Sequence, residues 1–332
     1  MDGFRKILVV CRENDSDNGA LQRAALRARK NGALLTIADV VQPFPHPIDQ
    51  PDKEGGGGAP DLSFAADLAD IRKSLIDRRS RELTALAAPL KDGGVNVAVE
   101  VLFGVPFLAI IEEVLRNGHD LVMLTAERAT RLRASLFGIT SMQLMRKCPC
   151  PVWVFRRGGR KKHSIIIAAV NPVPYDEERN ALNVRIIELA MSLAATDGAE
   201  VIVAHAWGGV DAAIERKWLS WTPPDKAEEF NRQMKHMREV FLKERLLGPY
   251  EDGAPSYRIA IREGDPRDVI PKLARDKGAD LIVMGTVCRS GVTGFFMGNT
   301  AESILERARC SVLTVKPEDF RCPVELPQRA TA

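Results

Sequence analysis

The sequence predicts an α/β protein of two tandem doubly wound domains, each built on a five-stranded parallel sheet, and three observations carry that expectation. The first is an internal repeat: the stretch from about 98 to 156 returns at about 258 to 316 with no insertion or deletion. Under a shift of 160 positions, Gly104 meets Gly264, Pro106 meets Pro266, Gly118 meets Gly278, and Asp120-Leu121 meets Asp280-Leu281. Gly138 then meets Gly298, Thr140 meets Thr300 and Cys150 meets Cys310. So long a period belongs to whole domains and not to a solenoid. The second observation is a set of short, continuous apolar runs, the pattern of strands buried on both faces. The third is that these runs alternate with helical segments, which makes the connections crossovers and the strands parallel. A flavodoxin-like strand order is expected in each half.

The first repeat opens with the strand Ile7-Leu8-Val9-Val10-Cys11. An Ala/Arg/Leu-rich helix over 19–31 and a strand over 33–41 complete one strand-helix-strand unit. A helix over about 68–90 follows, then strands over 95–102, 121–124 and 152–155. Helices start at Pro106, where a missing N–H costs nothing, and just after Gly138. The second repeat copies the order: strand 165–170, helix 178–195, strand 201–205, helix 226–247, and strands 258–262, 281–284 and 312–315. The Gly/Pro-rich stretch 42–60 is too long for a turn and reads as an insertion after strand two. At the same place the second repeat has 207–225, which holds Trp207, Trp218 and Trp221. The basic run 156–162 falls between the repeats and reads as a solvated linker. The expected boundaries are therefore 1–157 for domain one, 163–318 for domain two and 319–332 for a C-terminal tail. The last strands of the halves, 152–155 and 312–315, are expected to pair, because an unpaired edge is a hazard, and so to make an intramolecular pseudo-dimer open to further dimerisation.

Composition narrows the function classes. A chain of 332 residues with 45% hydrophobic content can fill two cores. Lys+Arg 47 against Asp+Glu 44 leaves +3, a balance that points to neither a nucleic-acid nor a membrane partner. Six cysteines without C-x-x-C spacing or a histidine cluster do not read as a zinc site. Met1-Asp2-Gly3 does not read as a secretory leader, and no long uncharged apolar run is present, so a cytoplasmic protein without membrane insertion is expected.

The chemistry concentrates between the strand 281–284 and the helix from Ala301. There Gly285, Gly291, Gly294 and Gly298 cluster, so backbone N–H groups can approach an anion, and the helix start adds unpaired donors and a positive dipole end. A phosphate group suits such a loop. Its spacing resembles the G-x2-G-x9-G-[S/T] nucleotide signature of the universal stress protein family, and the flanks Met284-Gly285-Thr286 and Gly298-Asn299-Thr300-Ala301-Glu302 look similar. The closing stretch 309–317 adds to the likeness, which covers nearly the whole chain and is greatest to tandem-domain members. The resemblance implies a non-enzymatic stress-response protein with no catalytic residues and no metal, holding ATP or another adenine nucleotide. It places the nucleotide contacts at Asn171, Gly285, Cys288, Arg289, Gly298, Asn299 and Thr300 of the second repeat.

Departures from the signature matter. The family residue after strand one, commonly Asp, is Asn171 in the second repeat and Arg12 in the first. Cys288 stands at the second Gly position, and Asn299 replaces the Ser or Thr, although Asn can still donate or cap a helix. Arg289 can reach phosphate oxygens. In the first repeat Thr125-Ala126-Glu127-Arg128 replaces the G-x2-G portion and only Gly138 survives, so that half reads as a structural partner.

Other signatures are absent: no Gly-Lys dipeptide allows a Walker A loop, and no G-x-G-x-x-G follows a strand or G-x-S-x-G an elbow. His205 reads as a core histidine at the end of strand two. An alternative is an adaptor for an apolar or lipid-like ligand, contacted by Trp207, Trp218, Trp221, Phe295 and Phe296. A third reading, a weak ATP hydrolase, lacks a base, nucleophile or metal-carboxylate set in the loop.

Overall fold

The computed structural model describes residues 3–13, 19–43, 62–126, 137–158, 163–173, 176–207, 223–250, 255–286 and 297–326. The chain clusters into two compact units whose main spans are Phe4–Leu124 and Thr125–Pro323.

The first unit holds β1 (Lys6–Val10), α1 (Gly19–Asn31), β2 (Leu34–Val41), α2 (Leu62–Asp92), β3 (Asn96–Phe103), α3 (Pro106–Asn117) and β4 (Leu121–Thr125). Its strands lie in the order β3-β2-β1-β4, all parallel. The adjacent strands β1 and β4 are apolar runs of the sequence. Ile7, Leu8, Val9, Leu121, Val122 and Met123 are fully buried, each contributing about 1.5–3 kcal/mol relative to exposure. Asp120 fastens the entry of β1: its carboxylate accepts the N–H groups of Arg5 at 2.6 Å and Lys6 at 3.0 Å.

The second unit holds α4 (Ile139–Lys147), β5 (Val152–Phe155), β6 (Ile165–Ala169), α5 (Glu177–Asp197), β7 (Glu200–Trp207) and α6 (Pro224–Phe241). It continues through a π-helical turn at Leu242–Leu246 to β8 (Tyr257–Glu263), α7 (Pro266–Lys277), β9 (Leu281–Gly285), α8 (Asn299–Arg307) and β10 (Ser311–Val315). The strands run β5-β10-β9-β6-β7-β8. Asp280 repeats the role of Asp120, accepting from the N–H of Ser164 at 2.7 Å and of Ile165 at 3.3 Å. The matched Asp-Leu pairs are thus the device that sets strand four beside strand one.

β5 and β10 are antiparallel, with Trp153 opposite Leu313, while every other pairing in this unit is parallel. The last strand of the first repeat therefore pairs with the last strand of the second. This explains why the compact division falls at Leu124/Thr125. Counted within the second repeat, the five parallel strands lie in the order 3-2-1-4-5. The doubly wound class stands, and the expected flavodoxin order, 2-1-3-4-5, is corrected. The physical reason is strand three. β8 mixes charged with apolar residues, and Arg258, Arg262 and Glu263 suit an edge and not the centre of a sheet.

Among the described residues no helix is long and apolar enough to cross a membrane, and no group of three His, Cys, Asp or Glu side chains is placed to hold a metal ion.

Candidate functional site

In the second repeat, strand order reverses between β6 and β9: β7 and β8 are added on one side and β10 on the other. Crevices at such reversals, outside the carboxyl ends of the strands, are where doubly wound sheets seat ligands. The register Ala169↔Met284 sends Val170-Asn171 out of β6 beside Gly285-Thr286 leaving β9. The N–H of Gly298 donates to the Thr286 carbonyl at 3.1 Å, which sets the start of α8 against the end of β9. Gly298 is the N-cap of α8 and supplies no side-chain cap, and Asn299 and Thr300 are exposed. The first-turn N–H groups and the positive dipole end therefore stand at the same strand ends as Asn171.

Asn171 is placed by its backbone. Buried Asn183 of α5 accepts the Asn171 N–H at 2.9 Å and donates to the Asn171 carbonyl at 3.0 Å. One turn earlier, Asn180 donates to the Val173 carbonyl at 2.8 Å. Asn171 itself is exposed. Sequence reading missed this pair, although two asparagines three apart inside a helix signal side chains bonded to nearby backbone.

Gly285 has a second duty. A Cβ there would come within 2.9 Å of Leu182 Cδ2 and 3.8 Å of Ile186 Cδ1, so the glycine lets α5 lie close against β9. Its presence in the motif is thus explained by packing as well as by ligand approach.

Behind the strand ends sits Lys316, immediately after β10 and only 3% exposed. Its ammonium donates to the carbonyls of Met145 at 2.7 Å and Arg146 at 3.0 Å and to Thr286 Oγ1 at 2.6 Å. Two of these acceptors are end-of-helix carbonyls of α4, which otherwise lack intrahelical partners. Burial lowers the lysine to about 7.

His205 is 3% exposed on β7, and its Nδ1 donates to the Val170 carbonyl at 3.2 Å, which fixes the tautomer with an acceptor lone pair on Nε2. No described residue hydrogen-bonds Nε2. Burial, opposed by the bond to Val170, lowers the imidazole to about 4. Trp207 is 8% exposed with the Arg238 guanidinium 5.0 Å from its ring centroid, so its face is packed and not an open apolar wall. Cys288, Arg289, Trp218, Trp221, Phe295 and Phe296 lie outside the described residues.

The first repeat differs at matched positions. Ala38↔Val10 and Ala204↔Ala169 are equivalent pairs, so the next residue of strand two is Asp39 in one half and His205 in the other. Asp39 is buried and accepts from Arg79 Nε at 2.7 Å, while Arg79 also reaches Glu82 at 2.6 Å and the Cys11 carbonyl. Burial raises the Asp39 carboxyl above its ordinary range against the opposing pull of Arg79. An arginine held by carboxylates thus occupies the end of β1, where the second repeat uses a neutral histidine. Gly138 is again an N-cap without a side-chain cap, and Glu127 and Arg128 lie outside the described residues.

A model described as the universal stress protein family matches residues 3–156 and 173–316. Universal stress protein E of Escherichia coli is 29% identical over 329 residues, covering 97% of each chain. Its counterpart in Photorhabdus laumondii is 27% identical over 334 residues, covering 98% of this chain and 99% of the relative. Among solved structures, a protein of unknown function from Pseudomonas aeruginosa aligns with a TM-score of 0.69 at 25% identity, covering 96% of this chain and 94% of that one.

Proposed function

The chain belongs to the universal stress protein family, and from that premise we propose that it is a cytoplasmic, non-enzymatic stress-response sensor or adaptor whose second repeat binds an adenine nucleotide. One observation carries this reading: the uncapped start of α8, Asn171 and Gly285 converge at the reversal of strand order. In the proposed pose the phosphates face the N–H groups of Asn299 and Thr300, with the Asn171 side chain toward the ribose or base. Arg289 and the Cys288 backbone complete the set on the sequence reading. The paired last strands β5 and β10 support an intramolecular pseudo-dimer of the two repeats.

Cys288 tests this. It stands at the signature's second glycine, so wild-type affinity for ATP is expected to be weak. Cys288→Gly is expected to tighten binding by about 1.5–3 kcal/mol, the value of one or two hydrogen bonds to a charged group. Calorimetry with ATP on both forms, with mass spectrometry of ligand retained through native purification, checks it. Failure of both forms to bind at millimolar ATP overturns the nucleotide reading, and a retained lipid-like molecule establishes the apolar-ligand adaptor instead.

A further inference from the structure

The segment that joins α4 to β5 reads Cys148-Pro149-Cys150, and its two sulfurs lie 3.6 Å apart. We propose that Cys148 and Cys150 form a dithiol site that a peroxide converts to an intramolecular disulfide. The geometry around the pair is specific. Cys148 is the C-cap of α4, with its N–H donating to the Leu144 carbonyl, so its position is set by the end of the helix. Joining the sulfurs requires closing about 1.5 Å to reach disulfide length. A third thiol, Cys322, donates to the Lys147 carbonyl at 3.3 Å, and Lys316 is bonded to the two carbonyls before it. The second repeat supplies the contrast. Cys310 matches Cys150, but Ala308 stands where Cys148 would, and burial pushes the Cys310 thiol up to about 12.

Cys150, at 9% exposure against 0% for Cys148, is the sulfur that meets the oxidant. Its thiolate attacks one peroxide oxygen, the O–O bond breaks, and a sulfenic acid and one water result. Cys148 sulfur then displaces the sulfenic oxygen as a second water. Two thiols have lost two protons and two electrons, and the peroxide has been reduced to two waters. The site stands apart from the nucleotide reading, because it is built from two thiols and needs no ligand.

The full chain is exposed to hydrogen peroxide, alkylated and digested with trypsin, which releases both thiols in the single peptide 148–156, with Cys310 in 310–321 and Cys322 in 322–329. Peptide 148–156 is expected to lose both alkylation sites together, to weigh two hydrogens less than the dithiol, and to recover with dithiothreitol. The loss is expected about tenfold or more faster than at Cys310, where Ala308 replaces the matching resolving thiol. In Cys148→Ser, Cys150 is expected to stop at the sulfenic acid and to be trapped by dimedone. Persistence of both alkylated thiols, or joining of 148–156 to 322–329, overturns the assignment.

Discussion

His205 carries a proton balance that folding changes. Its imidazole is held at about 4 by burial, against an ordinary 6.5. Between those values the unfolded chain binds a proton that the folded chain refuses, so stability rises with pH across this window and is lost as pH falls from 6.5 to 4. A depression of that size amounts to about 3 kcal/mol. In urea titrations at pH 6.5 and pH 4, wild type is expected to lose that much more than His205→Asn, whose amide can still donate to Val170. Equal pH slopes in the two proteins would remove His205 as the source. Lys316 is a second buried group with a defined duty. Lys316→Met leaves the Met145 and Arg146 carbonyls without their side-chain donor and takes a partner from Thr286 Oγ1. The expected destabilisation is about 1–3 kcal/mol, read from the denaturant midpoint at unchanged slope. Neither role was legible in the sequence. A lone histidine on an apolar strand and a lysine after a terminal strand acquire meaning only from carbonyls that other segments bring to them.

At the scale of elements, alternation of apolar runs and helical segments was enough to place the ten strands of the described residues: the central ones are apolar throughout, and β3 and β8 keep enough apolar residues to show among their charges. Strand order was less legible, although the charges of β8 held the clue that strand three lies at an edge. The repeated Gly-x-Pro between strand three and the following helix predicts a helix start, and the structure adds a backbone reason. Gly104 and Gly264 both have φ near +132°, a region that side-chain-bearing residues rarely enter. Space divides them. A Cβ on Gly264 would lie 2.9 Å from Val269 Cγ2, whereas on Gly104 the nearest atom is Ala109 Cβ at 3.9 Å. Gly104→Ala is therefore expected to destabilise by about 1–3 kcal/mol through backbone strain alone. Gly264→Ala is expected to cost more, and equal losses in thermal or urea unfolding would show that Val269 yields freely. The Asn180 and Asn183 clamp escaped the sequence reading for a different reason: its target is backbone, which carries no residue identity to match.

Over the whole molecule, the repeat arithmetic revealed two copies of one fold, and the drift of one loop suggested that only one copy keeps a ligand. The first repeat has Thr125-Ala126-Glu127-Arg128 where the second keeps Gly285, and its strand-one carbonyl is bonded by Arg79, itself fixed by Asp39 and Glu82. That ion pair is buried, so removing its arginine leaves an uncompensated carboxylate and does not simply vacate a site. Among the described residues, the matched carbonyl of the second repeat meets no such plug, only the neutral imidazole of His205. On the proposed nucleotide reading, one nucleotide per chain is the expected stoichiometry. Gly298→Asp sets a carboxylate at the N-cap of α8, where it satisfies the helix itself and repels phosphate, and is expected to abolish ATP binding. Gly138→Asp makes the same change at the start of α4 and is expected to leave the ATP isotherm as it was. The two substitutions are matched in chemistry and in position within their repeats, so helix stabilisation alone cannot separate them. A stoichiometry near two in wild type, or equal loss from both variants, would overturn the division of labour between the halves.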